Sequence, residues 1–132
     1  MHSGMQDRIL AIEEALGFVG SIRHTLGANG EHWTFFAIAR DRSGHPCEVD
    51  SAFARSWCLT GARWHVLSGI ARTDLRRIEL ENAWREVKRP FLGTPRGTDV
   101  WVNDNDGWQG VCARLDAVEA ELHTRLAKLK ET

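Results

Sequence analysis

The sequence predicts an α+β fold, with about four helices packed with a small two- or three-stranded antiparallel sheet. Three observations carry this. Apolar residues recur at three-and-four spacing over long stretches near both ends. A short aromatic run leads into an Asp-x-x-Gly turn, and a Pro/Gly-containing stretch separates the third helical pattern from the last. At 132 residues the chain fits one domain and buries a core without needing a staple.

In the first helix Met5, Ile9, Ile12, Leu16, Val19, Ile22 and Leu26 stack on one face. Gly17 and Gly20 weaken its second half by about 1 kcal/mol each relative to Ala, and Gly27-Ala28-Asn29-Gly30 stops it. The opening Met1-His2-Ser3-Gly4 carries no part of the fold argument. Residues 33–40 are aromatic-rich and too short for a good helix, so they read as a strand. Asp41-Arg42-Ser43-Gly44 is a turn in which Gly supplies positive φ. Residues 45–49 return as a second, weaker strand, which Pro46 confines to an edge.

Asp50 or Ser51 caps a second helix over 51–71, with Phe53, Trp57, Gly61, Trp64 and Leu67 along one stripe. Gly61, lacking a side chain, leaves room there for another element to approach closely. Thr73-Asp74 restarts a third helix that runs to about Arg89. Its inner face is Leu80, Trp84 and Val87, and Glu81 pairs with Arg85 outside. Residues 90–98 hold two prolines and two glycines and form a loop. Residues 99–102 are a short strand candidate, a third member for the sheet. Asp106 and Gln109 form a capping-box pattern ahead of the last helix, which buries Val111, Leu115, Val118, Leu122, Leu126 and Leu129.

Seventeen basic against eighteen acidic residues leave a net charge of -1, which argues against a general nucleic-acid binder and against an acidic DNA mimic. The charge is mildly segregated: 73–98 carries an excess of two positives, and 99–107 carries three carboxylates and no cation. Cys47, Cys58 and Cys112 are odd in number and far apart. No basic-then-apolar signal segment opens the sequence, and no apolar run reaches membrane-spanning length, so a reducing cytoplasm is the expectation.

Trp33 with Ala39-Arg40-Asp41-x-x-Gly44, then Trp57-Cys58-x-x-Gly61-Ala62, then Asn103-Asp104 ahead of a final helix resembles a family of small bacterial and phage proteins classed as a domain of unknown function. That family shows a Trp-Cys-x-x-Gly-Ala segment followed by Trp-Asn-Asp, and the similarity covers roughly residues 30–120. Here Val102 separates Trp101 from Asn103-Asp104, and the third helix with its following loop looks like an insertion. The resemblance implies a shape and a phage or mobile-element setting, and no activity.

Trp-Cys suggests a thiol nucleophile, but Cys58 falls mid-helix in this reading. His65 is seven residues on, about 10 Å away along the same helix, beyond hydrogen-bond reach. A buried structural cysteine is the expectation, with no catalytic residues. Metal ligands are not expected either: no C-x-x-C or H-x-x-x-H spacing occurs. A calcium loop with Gly107 at position six puts Val102 at position one and Ala113 at twelve, where carboxylates are required. No cofactor is expected.

The candidate ligand-binding set is Trp33, Arg40, Asp41, Trp101, Asn103 and Asp104. A Trp101 strand beside the Trp33 strand brings Arg40 and Asp104 together at one end of the sheet, walled by indoles. The plainer reading of the polar members is turn formation and pairing. Six tryptophans without a tyrosine suggest an interface, with Trp84 and Trp108 as candidates and core packing for Trp57 and Trp64. The function expected is a non-catalytic binding or interaction protein with a protein partner or a second copy of itself. A small nucleotide-like ligand or weak enzymatic activity in an Arg40/Asp104 pocket is second. A helix-turn-helix DNA reader built on the second and third helices, with Arg76, Arg77, Arg85, Lys88 and Arg89, is third and is opposed by Glu79, Glu81 and Glu86.

Overall fold

The computed structural model describes residues 4–131; Met1, His2, Ser3 and Thr132 lie outside the described residues. The order of elements is α1 (Gly4–Leu26), β1 (Ala39–Asp41), β2 (Ala54–Trp57), α2 (Leu59–Leu67) and α3 (Leu75–Lys88). Two 3-10 turns follow (Arg89–Phe91 and Pro95–Gly97), then α4, a single turn (Asp99–Trp101), a π-helical turn (Val102–Asp106) and α5 (Gly107–Lys130). Four substantial helices and a two-stranded antiparallel sheet make an α+β fold.

The core is helical because the local patterns that demand burial are helical. α1, α3 and α5 pack on one another, and α2 packs on α1. Ile12, Val19, Ile22 and Leu26 of α1 meet Leu80 and Trp84 of α3 and Val111, Leu115, Val118 and Leu122 of α5. Ion pairs link the same helices at their rims: Arg8 to the buried Glu79 (2.9 Å), and Arg23 to Asp116 (2.7 Å) and Glu119 (2.9 Å). No helix among the described residues is long and apolar enough to cross a membrane.

α1 runs unbroken through Gly17 and Gly20 and ends at Gly27, whose φ of 87° releases the chain from the helix. A Cβ at Gly17 or Gly20 would meet no atom within 4 Å. Either glycine replaced by Ala should therefore raise stability by about 0.5–1 kcal/mol in urea denaturation, since Gly in a helix carries only its entropic penalty here.

The sheet differs from expectation. Strand β1 covers only the end of the aromatic run, and its partner is 54–57, not 45–49: Ala39 pairs with Trp57, Arg40 with Ser56 and Asp41 with Ala54, with an irregularity between Arg40 and Asp41. Residues 45–47 do return beside β1, Asp41 N donating to His45 O (2.9 Å) and Cys47 N to Ala39 O (3.0 Å), but this is an isolated bridge of residue 46 to Arg40 and not a strand. The second helix consequently begins at Leu59 rather than 51, because the backbone of Trp57 is taken by distant partners. Its N–H donates to His32 O (2.8 Å) and its carbonyl accepts from Thr34 N (3.0 Å). Residues 99–102 are not a strand: Thr98 caps them into a helical turn by accepting from Trp101 N (3.3 Å).

Two pairings also differ. Glu81 pairs with Arg77 (3.0 Å), one turn back, while Arg85 reaches only Asn82 Oδ1 (3.4 Å). Asp106 makes no capping bond, since both of its oxygens are held by Arg96 (3.0 and 3.1 Å).

Asp74 does cap α3, accepting from Arg76 N (3.0 Å) while the Arg76 guanidinium closes on the same carboxylate (2.6 and 2.9 Å). That side-chain contact is the main cause that lowers the Asp74 pKa to about 2. A carboxyl depressed in the folded state contributes stability above its unfolded value of about 4 and loses it as pH falls through its folded value. Asp74→Asn, which keeps a capping oxygen, should therefore melt lower than wild type at pH 7. The gap should close between about pH 4 and about pH 2 in thermal melts; a gap independent of pH would deny the ionised pair any role.

Candidate functional site

Trp33, Trp57-Cys58 and Asn103-Asp104 meet where the loop after α1, the start of α2 and the π-helical turn come together. Asn103, 1% exposed, is the centre. Its Oδ1 accepts from the Trp33 indole N–H (2.7 Å) and from Leu59 N (2.9 Å). Its Nδ2 donates to Thr34 O (3.1 Å) and to Asp104 Oδ1 (3.0 Å). All four hydrogen-bonding positions of the amide are thus filled. The π-helical turn makes this arrangement: consecutive residues Asn103 and Asp104 both face the 33–36 loop, as a widened turn inside a helical segment permits.

Asp104 acts on the loop itself. Its Oδ1 accepts from Phe36 N (2.9 Å), and Phe36 has a φ of 59°, the left-handed region that a bulky residue adopts only under constraint. The Phe36 ring is 70% exposed and packs edge-on to Phe35 (5.3 Å between centroids).

Arg40 does not meet Asp104: no hydrogen bond or ion pair joins them among the described residues. The Arg40 guanidinium is spent within its own loop, donating to Thr34 Oγ1 (3.0 Å), Gly44 O (2.9 Å) and Phe35 O (3.1 Å). It clasps the turn to the 34–36 segment. Asp41 is a turn former, its Oδ1 accepting from Ser43 N (2.9 Å) and His45 N (3.0 Å). Trp101 stands apart under the Arg96 guanidinium (5.3 Å). Of the six candidate ligand residues, three (Trp33, Asn103, Asp104) form one bonded unit, Arg40 joins it through Thr34, and Asp41 and Trp101 lie outside it.

The interface candidates divide. Trp84 is 2% exposed, and its N–H donates to Asp99 Oδ2 (2.9 Å), so it is a core residue. Trp108 is half-buried against Trp33 (5.9 Å), with its ring close over Gly30. Trp64, expected in the core, is instead 49% exposed. Gly61 and Leu67 of the same expected stripe are buried, so Trp64 alone of the three falls at the edge of the buried face of α2.

Cys58 is not mid-helix. It is the N-cap of α2, its Sγ accepting from Gly61 N (3.2 Å), and its own N–H donates to Ile38 O (3.1 Å). A helix N-terminus favours a thiolate, yet burial outweighs the Gly61 and Thr60 N–H groups and pushes the thiol pKa up. The sulfur is 5% exposed as a residue, and His65 stacks on Trp57 (5.0 Å between centroids). Among the described residues no group of three or more His, Cys, Asp or Glu is placed to hold a metal ion.

Sequence reasoning missed a second polar centre. Asp99, 6% exposed, faces Arg63 (3.4 Å), Lys88 (3.7 Å) and Arg114 (3.6 Å) as well as the Trp84 N–H. The available signal was Trp84: a core indole needs an acceptor, and a nearby carboxylate is the natural one. The helices once considered as a helix-turn-helix pair, α2 and α3, each pack on α1 and make little contact with each other, leaving a cleft between them.

Compared with family models, curated proteins and solved structures, the chain matches none.

Proposed function

We propose that this chain is a non-catalytic interaction protein that engages a protein partner through the face carrying Phe36, Ile38 and Trp64. Phe36 carries the reading. A large ring, mostly exposed, sits on a left-handed backbone that disfavours it by about 1–2 kcal/mol. The carboxylate of Asp104 holds it there. Strain of this kind persists where the surrounding structure over-determines it, and it concentrates at binding sites.

Phe36 and Ile38 line a cleft of about 690 Å³ with Trp64, and a smaller one of about 400 Å³ with Val100. All four side chains are exposed, and clustered exposed apolar groups mark protein interfaces. The preference for binding over catalysis is supported by a Cys58 thiol raised in pKa by burial and by an Arg40 committed to its loop. The family resemblance adds a phage or mobile-element setting, and three free cysteines fit a reducing cytoplasm.

Phe36→Gly separates folding from function, because Gly relieves the strain and removes the ring. The variant should melt at or above the wild-type temperature. In quantitative affinity capture from the native host it should lose at least about tenfold of a stoichiometric partner, roughly the contribution of one interface anchor. Leu10→Gln, an exposed apolar change on α1, should retain that partner. Equal capture by wild type and Phe36→Gly would remove the face from the function.

A further inference from the structure

The cleft between α2 and α3 is lined by Arg63 from α2, Arg72 from the connecting loop, and Arg77, Arg85 and Lys88 from α3. Glu81 is the one carboxylate among its described lining residues. Residues 77, 81, 85 and 88 follow helical spacing, so α3 presents them as one stripe. Five cations around one cleft is a strong local excess in a chain whose net charge is -1.

Their neighbours neutralise only part of this charge: Arg77, Arg63 and Lys88 find carboxylates, and Arg72 and Arg85 do not. Glu81 is taken by Arg77. Arg72 has no hydrogen bond or ion pair among the described residues, and Arg85 has only the amide oxygen of Asn82. Beneath the cleft, Arg63, Lys88 and Arg114 share the single carboxylate of Asp99. Arg63 Nε and Arg114 Nη1 are buried without an acceptor, and Asp99 Oδ1 without a donor. Partly desolvated positive charge in excess of its counter-charge is costly unless another anion completes it.

We propose that this cleft binds a phosphate-rich small anion of the nucleoside polyphosphate class. The phosphates would lie across the exposed Arg72 and Arg85, whose guanidinium groups face no carboxylate and suit phosphate oxygens, with Lys88 beside them. The base would lie on the exposed Trp64 indole at the rim. The cleft encloses about 440 Å³, within the range of small-ligand sites. A polynucleotide fits less well on a chain whose net charge is -1. This cleft adjoins the Phe36 face and shares with it the Trp64 ring and the Arg72 and Arg77 side chains.

Calorimetric titration of the full chain with inorganic triphosphate, ATP, GTP and AMP tests this. Triphosphate and the nucleoside triphosphates should bind saturably, more weakly as salt rises, and AMP at least about tenfold more weakly. The double variant Arg72→Ala/Arg85→Ala removes two exposed side chains and should keep its melting temperature while losing at least about tenfold in affinity. Trp64→Ala should weaken ATP and GTP but leave triphosphate unchanged. The absence of both a heat of binding and a rise in melting temperature with every polyphosphate at about 5 mM would overturn the proposal, since ligand at several times its Kd must stabilise the fold it binds. So would binding that the double variant does not weaken, or retention of an oligonucleotide without any binding of free triphosphate.

Discussion

Asn103→Ala should lower the unfolding free energy by about 3–5 kcal/mol, because removing one amide leaves several buried partners unpaired at about 1–3 kcal/mol each. Leu59 N and Thr34 O both belong to buried residues, and the Trp33 N–H loses its short bond as well. The loss is not confined to one element, since the amide ties the 33–34 segment, the start of α2 and the π-helical turn together. Against a total stability of about 5–15 kcal/mol, urea denaturation should show a midpoint moved far down. Asn103→Asp, nearly the same shape, should be no better. It places an oxygen where Nδ2 now faces Thr34 O and Asp104 Oδ1, and it buries a charge. A loss under about 1 kcal/mol for the alanine variant would mean that water replaces the amide readily at this junction.

Gly61→Ala should be nearly as damaging, at about 2–3 kcal/mol, for an opposite reason: the added methyl overfills the site. A Cβ built there collides with the backbone carbonyl oxygen of Ile38 and comes within 3.0 Å of Ile38 Cγ2. That carbonyl accepts the Cys58 N–H (3.1 Å), so any retreat of residue 38 pulls on the N-terminal cap of α2 and on the adjoining β1–β2 pairing. Ala is favoured over Gly in helices by about 1 kcal/mol, and the collision should outweigh that gain. Gly17→Ala provides the contrast: the same substitution in the middle of a helix, where nothing stands near the new methyl, is expected to stabilise. A Gly61→Ala protein as stable as wild type would show that the strand and α2 are not locked at this contact.

The long helices were legible because their evidence is local. The spacing of Ile12, Val19, Ile22 and Leu26, and of Val111, Leu115, Val118 and Leu122, selects a buried face whatever the partner, and those faces form the core. Asp74 as a helix cap was legible for the same reason, since its acceptor role needs only a backbone N–H two residues on. The close approach expected at Gly61 is also found, and its partner is the Ile38 carbonyl just ahead of β1.

Residues 51–58 show where pattern reading fails. Phe53, Trp57, Gly61 and Trp64 sit at spacings that suit a helix, yet 54–57 are a strand. The deciding hydrogen bonds go to His32, Thr34 and β1, more than ten residues away. The Asp106 capping pattern lost to the Arg96 ion pair in a similar way, and residues 99–102 are helical because Thr98 caps them and the buried Asp99 meets charges from α2, α3 and α5.

Sequence alone determined the helical framework, its buried faces and the list of polar residues worth inspecting, because periodicity and capping act over a few residues. Tertiary structure alone decided what those polar residues do. Asn103 became an internal tie, Arg40 a clasp on its own loop, Asp104 the restraint on Phe36, and the scattered arginines of α2 and α3 a single cationic cleft. Hydrogen bonds and charge encounters depend on which distant segments the packed core brings within about 3 Å of one another, and that distance is a property of the fold.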